Sequence, residues 1–172
     1  LDWDYGEKQE KVLLDGTTGS FDYKQIGAYN GGSSLAIYGD LEAGKKQTVN
    51  LYKTDLQVLE GSKLSLTYNK ISDNDLSDLA LVLRFKDDPE TLVVLPVSEA
   101  GQQTNGWRTV EFSLADFAGR DIAAIGVQIA CQQAVTGYQV NLGQLKLSDG
   151  QSHAPAAPQN FVVDKVFDTT GE

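Results

Sequence analysis

The residues that could carry acid–base or nucleophilic chemistry are few, and they do not form a recognisable catalytic set. The one histidine, His153, stands in a Pro/Ala-rich segment. The one cysteine, Cys131, continues the apolar alternation of Ile125, Val127 and Ile129, so we predict a small core residue there. Two carboxylates suffice for glycoside hydrolysis, but the close aspartate pairs of this sequence stand in turn-like contexts that favour capping of the local backbone. We therefore predict that the chain is not an enzyme. The pairs are Asp2/Asp4, Asp73/Asp75 and Asp87/Asp88.

Oxygen-rich segments raise the question of a calcium site. Ca²⁺ takes roughly six to eight oxygen ligands, commonly loop carboxylates and backbone carbonyls. The densest such segment spans residues 72–78, although it lacks the glycine and the terminal glutamate of an EF-hand loop. A second arrangement would join Asp15 to Asp149 through the backbone of residues 31–33. We hypothesise a structural Ca²⁺ at one of these places, and no other cofactor is required. The candidate metal ligands are Asp15, Asp149, Asp73 and Asp75.

Aromatic and amide side chains could instead bind a sugar, because a flat ring stacks on a pyranose while amides bind its hydroxyl groups. Trp107 is out of phase with the apolar positions Val110 and Phe112, so it should share a polar strand face with Thr109 and Glu111. The alternative, that the tryptophans and tyrosines fill the core or its rim or pack against a neighbouring domain, stays open. The candidate carbohydrate-binding residues are Trp107, Gln103, Asn105, Tyr29 and Trp3.

The charge balance excludes some classes of partner. A net charge of -10 argues against nucleic acid and anionic membrane surfaces, since both require clustered Lys and Arg. No run approaches the roughly 20 apolar residues that span a bilayer. A neutral partner such as a glycan is compatible with this composition.

The dominant pattern of the chain is alternation of apolar and polar residues in short segments separated by Gly, Asn and Asp turns. Such segments are typical of strands with one buried face, and no stretch has a helical period. We predict an all-β fold, an antiparallel β-sandwich of the jelly-roll, galactose-binding-domain-like type. The predicted strands are Lys11–Leu14, Ser34–Tyr38, Thr48–Tyr52, Lys63–Asn69, Leu79–Phe85, Thr91–Val97, Arg108–Leu114, Ile122–Cys131 and Tyr138–Leu147.

A change of phase in the last predicted strand locates an irregularity. Tyr138, Val140 and Leu142 are in phase, whereas Leu145 is not, so we predict a β-bulge or bend at Gly143.

The chain divides into three parts. Residues 1–150 form the predicted jelly-roll module, and the Pro/Ala-rich residues 151–158 suit a semi-rigid linker. Residues 159–172, with the apolar run at 161–163, have the character of the first strand of a further β-domain that the sequence truncates. We therefore expect the chain to be a piece of a longer protein.

Several segments resemble the region behind the catalytic barrel in family 85 glycoside hydrolases, which are endo-β-N-acetylglucosaminidases. The resemblance covers most of residues 15–150. The similar segments are Tyr29–Ile37, Val49–Thr54, Gly106–Arg108 leading into Phe112–Leu114, Ile122–Val127 and Tyr138–Leu145.

The resemblance implies an accessory β-sandwich of a secreted bacterial enzyme, extracellular or associated with the cell wall, that cleaves N-glycans. The family's catalytic asparagine and glutamate belong to the barrel, so no catalytic residue is assigned to this chain. We expect a module that either binds glycan or supports the parent's catalytic barrel. The alternatives are a purely structural sandwich without a ligand and, less favoured, a stand-alone glycoside hydrolase.

Overall fold

The computed structural model describes residues 17–22, 29, 34–70, 78–97, 102–104 and 106–151. Ten β-strands and one short 3-10 helix, Ala115–Phe117, form within these residues. The strands are β1 (Thr17–Asp22), β2 (Ser34–Leu41), β3 (Lys46–Gln57), β4 (Lys63–Lys70), β5 (Asp78–Phe85), β6 (Asp88–Pro96), β7 (Gln102–Thr104), β8 (Trp107–Ser113), β9 (Asp121–Ala130) and β10 (Val135–Ser148).

The strands form two antiparallel sheets. The larger sheet has six strands in the order β1-β2-β10-β4-β8-β7, and the smaller has four in the order β3-β9-β5-β6. Most consecutive strands lie in different sheets, with hairpins only at β5–β6, β7–β8 and β1–β2 in the described part of the chain. This is a jelly-roll sandwich, and the predicted fold class is confirmed. β10 lies between β2 and β4 in the interior of the larger sheet.

The core forms where the alternating apolar residues of the two sheets meet. Leu66 and Tyr68 of β4 are fully buried, as are Leu81 of β5 and Ile125 of β9. The polar neighbours of Leu66 and Tyr68 in the sequence point to the opposite face of β4, whereas Leu81 is flanked by Ala80 and Val82, which are also buried. Cys131 belongs to the same core at 3% exposure, which confirms the predicted core position.

The predicted irregularity at Gly143 is confirmed as a β-bulge. Leu142 pairs with Tyr68 and Gln144 pairs with Thr67, so β10 carries one additional residue between two consecutive positions of β4. Leu142 and Leu145 both reach the core as a result, and Gln144 lies on the outside of the sheet.

Some strands differ from the predicted ones. β1 and β7 were not predicted, β3 extends to Gln57, and β6 begins at Asp88, where the aspartates before Pro89 predicted a turn. Pro89 is compatible with β6 because this strand lies at a sheet edge, where a missing backbone N–H is tolerated. The predicted strand Lys11–Leu14, most of the predicted linker and the predicted following strand lie outside the described residues.

An exposed ion pair joins the β5–β6 hairpin to the segment that precedes β9. Arg120 donates from Nε to Asp87 Oδ2 at 2.9 Å and from Nη2 to Asp87 Oδ1 at 2.8 Å. The guanidinium also lies 4.0 Å from the centre of the Phe85 ring, which stacks on Phe117 at a centroid distance of 5.2 Å. The bidentate hydrogen bonds to Asp87 and the cation–π contact with Phe85 together fix the Arg120 side chain.

We expect this ion pair to give the sandwich an acid-sensitive contribution to stability. The hydrogen bonds from Arg120 lower the pKa of Asp87 below its ordinary value of 3.8. A carboxyl group whose pKa is lower in the folded state than in the unfolded state stabilises the fold at pH values above its unfolded-state pKa. This contribution is lost as the pH falls through the folded-state pKa. Urea unfolding should therefore show Asp87→Asn less stable than wild type at pH 6, with the gap closing below pH 3.8. Asp116→Asn, in the adjacent 3-10 helix, is the control. A gap that stays constant with pH would contradict the prediction.

Candidate functional site

The outer face of the larger sheet combines aromatic, amide and hydroxyl side chains. Residues that pair across antiparallel strands share a face, so the register defines this set strand by strand. Trp107 lies on this face with Thr109 and Glu111, as its phase in the sequence predicts. We call the following residues the polar face: Ser34, Ala36 and Tyr38 of β2, Gln139, Asn141 and Gln144 of β10, Thr67 and Asn69 of β4, and Trp107 and Thr109 of β8.

Two rings meet over the bulge of β10. The Trp107 and Tyr29 rings contact each other edge to face, with centroids 5.9 Å apart and planes at 61°. Trp107 is only 6% exposed, whereas Tyr29 is 40% exposed. A Cβ atom on Gly143 would lie 2.7 Å from Tyr29 Cβ and 2.8 Å from Trp107 Cζ3, so only glycine leaves room for both rings. We call Tyr29 and Trp107 the aromatic pair.

Hydrogen bonds hold the amide side chains beside the aromatic pair. Asn141 is fully buried, and its Nδ2 donates to Ser34 Oγ at 2.9 Å. Gln139 Nε2 donates to Asn141 Oδ1 at 3.0 Å. The hydroxyl groups of Thr67 and Thr109 lie 2.8 Å apart. Because buried polar groups require partners, this network fixes the side chains in one arrangement.

A tight hairpin places Trp107 at the start of β8. Thr104 pairs with Trp107, so the turn between them has two residues and ends at Gly106, whose φ of 82° suits glycine. A Cβ atom on Gly106 would lie 3.0 Å from Asn69 Nδ2, which shows how closely the turn approaches the amide of β4.

The structure brings together some of the predicted sugar-binding residues. Trp107 and Tyr29 are in contact, and Gln103 lies in β7, where it pairs with Arg108. Trp3 and Asn105 lie outside the described residues. A sugar-binding role for these five residues stays a prediction.

Sequence reasoning missed Tyr38, Gln139 and Asn141 as members of the polar face. A signal was present, because Gln139 and Asn141 alternate with the core residues Tyr138 and Val140. Alternation assigns such residues to an outer face but does not say which other strands share it.

Of the predicted calcium ligands, only Asp149 falls in the part of the chain that the structure describes, and Asp15, Asp73 and Asp75 lie outside it. Asp149 Oδ1 accepts a hydrogen bond from the backbone N–H of Gln151 at 2.9 Å. The described residues contain no group of three or more His, Cys, Asp or Glu side chains placed to hold a metal ion. Calcium binding stays a prediction.

In the part of the chain that the structure describes, no helix is long and apolar enough to cross a bilayer.

Comparison with solved structures places this sandwich among known folds. The chain is similar to the glycoside hydrolase domain of Endo-D from Streptococcus pneumoniae R6, with 29% sequence identity and a TM-score of 0.64 over 89% of this chain. The chain has the β-sandwich fold that carbohydrate-binding modules share. The resemblance to family 85 glycoside hydrolases is thereby confirmed, and this β-sandwich spans 23% of the length of the Endo-D chain.

More distant structures share the fold of the β-sandwich. One is a carbohydrate-binding module of the β-sandwich superfamily described as having promiscuous specificity, with 13% identity, a TM-score of 0.56 and coverage of 81% of this chain and 59% of that one. Another is the family 11 module from Clostridium thermocellum in complex with a β-1,3-1,4-mixed-linked tetrasaccharide, with 13% identity, a TM-score of 0.50 and coverage of 86% and 95%. No protein-family model and no curated protein matches the chain.

Proposed function

We propose that this β-sandwich is a non-catalytic carbohydrate-binding module of a secreted bacterial endo-β-N-acetylglucosaminidase, and that it holds N-glycan on its polar face. The parent protein would act outside the cell or at the cell wall, with its catalytic barrel as the neighbouring domain. The observation that carries the proposal is the aromatic pair seated on the bulge of β10 and surrounded by amides and hydroxyl groups.

The chemistry of the polar face suits an uncharged sugar. Between the rows of Tyr38 and Thr109, the outer positions of β2, β10, β4 and β8 carry no charged side chain, although the whole chain has a net charge of -10. The nearest charged side chains of these strands on the same face are Asp40 at one end and Glu111 and Lys146 at the other, where Glu111 also pairs with Lys63 at 2.9 Å. Six members of the polar face are buried, so a sugar would contact Tyr29 and the exposed or half-buried members Tyr38, Gln139, Gln144 and Thr109 through ring stacking and hydroxyl hydrogen bonds. The buried members are Ser34, Ala36, Thr67, Asn69, Asn141 and Trp107.

The distribution of exposed apolar side chains favours binding over a purely supporting role. A face that packs on a barrel should expose an apolar patch of several hundred Å², on the order of the largest patches of monomers. Four large apolar side chains are exposed in the described residues, and they do not form one patch. Tyr29 and Tyr38 lie at the polar face, Leu59 lies before the turn into β4, and Val94 lies on the smaller sheet.

The test is a titration of tryptophan fluorescence with N-glycans that carry the chitobiose core. A Trp3→Phe background leaves Trp107 as the sole reporter, since the chain has 2 tryptophans. We expect a saturable change, and we expect Tyr29→Ala to weaken binding about tenfold, because loss of a stacking ring is worth about 1.4 kcal/mol. Val94→Ala, on the other sheet, is the matched control and should bind like wild type.

A flat response up to millimolar glycan would overturn the proposal and leave the barrel-supporting role as the next hypothesis. Repeating the titration with calcium and with a chelator tests the calcium prediction, since a calcium-dependent module loses affinity or thermal stability in chelator. Release of cleaved glycan by this chain alone would establish the stand-alone hydrolase instead.

A further inference from the structure

A small apolar area lies at the end of the sandwich where β10 ends. Leu59 has 48% of its surface exposed, the highest value among the exposed large apolar side chains of the described residues. It begins a turn that two hydrogen bonds close, from Ser62 N–H to the Leu59 carbonyl oxygen at 2.9 Å and from Leu59 N–H to Ser62 Oγ at 2.8 Å. The backbone of Leu59 is therefore fixed, and its side chain is held at the surface.

The segment around the 3-10 helix continues this apolar area. It lies beside the turn, because Leu114 N–H donates to the Ser62 carbonyl oxygen at 2.9 Å and Gly119 N–H donates to the Val58 carbonyl oxygen at 2.8 Å. Two alanines of the segment are exposed and its phenylalanine is half-buried, so Leu59 is not an isolated apolar side chain. We call the following residues the exit patch: Leu59, Ala115, Phe117 and Ala118.

The chain leaves the sandwich next to the exit patch, because the residues after β10 contact the same turn. A Cβ atom on Gly61 would lie 2.5 Å from the Asp149 carbonyl oxygen, and a Cβ atom on Gly150 would overlap with the Gly61 carbonyl oxygen. Glycine at both positions permits this close backbone approach. Since Gly61 is two residues from Leu59, Gly150 and Leu59 are within about 10 Å of each other.

The sequence that follows this point suits an apolar surface. Residues 154–158 have the sequence Ala-Pro-Ala-Ala-Pro, and a Pro-rich segment favours the polyproline II conformation with a rise of about 3.1 Å per residue. Pro155 is five residues beyond Gly150, which is a reach of about 16 Å and is long enough to cross Leu59. A segment that is already extended loses little conformational freedom when it packs on an apolar surface.

We propose that residues 154–158 pack on the exit patch, so that the linker is a fixed joint and not a free tether. The place where the chain leaves the sandwich favours this occupant over a second copy of the chain, because a segment tethered within reach has a high effective concentration at the patch. The inference goes beyond the proposed function and does not depend on glycan binding. Its consequence is a defined orientation of the sandwich relative to the β-domain expected after residue 158.

The test is NMR relaxation of the backbone amides of Ala154, Ala156 and Ala157 in the full chain. We expect order parameters of about 0.85, the value of a rigid backbone, in wild type, and values below about 0.6 in Leu59→Ser. Val94→Ser removes an exposed apolar side chain from the smaller sheet and is the matched control, which should keep the wild-type values. Order parameters below about 0.6 in wild type would overturn the inference, as would values that stay high in Leu59→Ser.

A second measurement on wild-type protein covers the case in which Leu59→Ser fails to fold. Nuclear Overhauser contacts are expected between the Leu59 methyl groups and the ring protons of Pro155 or Pro158. Contacts of these methyl groups with Phe161 instead would assign the exit patch to the following segment. Contacts that strengthen with protein concentration would assign it to a second copy of the chain, and either result would overturn the linker as its occupant.

Discussion

Gly126→Ala is expected to lower the free energy of unfolding of the β-sandwich by about 3 kcal/mol, the upper part of the usual range for overpacking. Gly126 lies in β9, in the middle of the smaller sheet, where it pairs with Asn50 of β3 and Val82 of β5. An added Cβ would lie 2.4 Å from the Val49 carbonyl oxygen and 3.2 Å from Asn50 Cα. Because these atoms belong to the backbone, no side-chain rotation relieves the overlap, and β3 must move away from β9.

Urea unfolding monitored by circular dichroism would measure this effect. Gly119→Ala is the matched control, because its Cβ meets nothing within 4 Å and it carries only the strain of a φ of 85°. That strain should cost about 1 kcal/mol. If the two variants unfold at the same urea concentration, the close approach of β3 to β9 is not a constraint on the sheet.

Gly143→Ala is expected to weaken glycan binding at least tenfold while the sandwich remains folded. The added Cβ would overlap with Tyr29 Cβ at 2.7 Å and with the Trp107 ring at 2.8 Å, so the aromatic pair must separate. The Trp107 ring can rotate, whereas Tyr29 Cβ moves only with its own backbone, so Tyr29 must shift away from β10 as a whole. Neither movement breaks the pairing of β10 with β2 and β4. Trp107 should become more exposed, and its fluorescence emission should shift to longer wavelength.

The appropriate control for Gly143→Ala is Gly137→Ala in the same strand. Gly137 has a φ of 69° and open space around its Cβ position, so its substitution adds local strain without touching the aromatic pair. Emission and glycan affinity of Gly143→Ala that match those of Gly137→Ala would show that the bulge does not position the rings.

Strands with one apolar and one polar face could be predicted from the sequence. Leu64, Leu66 and Tyr68 of β4 alternate with Ser65 and Thr67, and β4 is a strand with these apolar residues in the core. The bulge at Gly143 could also be predicted, because one additional residue in a strand reverses the phase of every residue that follows.

Strands with little apolar content could not be predicted in the same way. β1 has the sequence TTGSFD, whose Gly, Ser and Thr are typical of turns, and β7 has three residues. Both lie at the edges of the larger sheet, where pairing with one neighbour determines the strand and local pattern contributes little.

The candidate site was predictable only in part. The phase of Trp107 assigned it to the outer face, but its burial depends on Tyr29 and Gly143, which are distant in sequence. A single sequence gives the face of a residue within its own strand, whereas the order β2-β10-β4-β8 is a property of the whole fold. Asn69 and Asn141 lie side by side only because that order places the two separated strands β4 and β10 next to each other.

The interior position of β10 has a consequence for synthesis of the protein on the ribosome. β10 supplies the hydrogen bonds between β2 and β4, so neither strand can form this pairing until β10 has been synthesised. Ala36 of β2 pairs with Asn141 of β10, and Leu66 of β4 pairs with Leu145 of β10. Until residues 135–148 have left the exit tunnel, the nascent larger sheet is split into halves with two unpaired apolar edges, which invite aggregation. The module must therefore fold late and all at once, and a chain that ends before β10 should be degraded or captured by a chaperone.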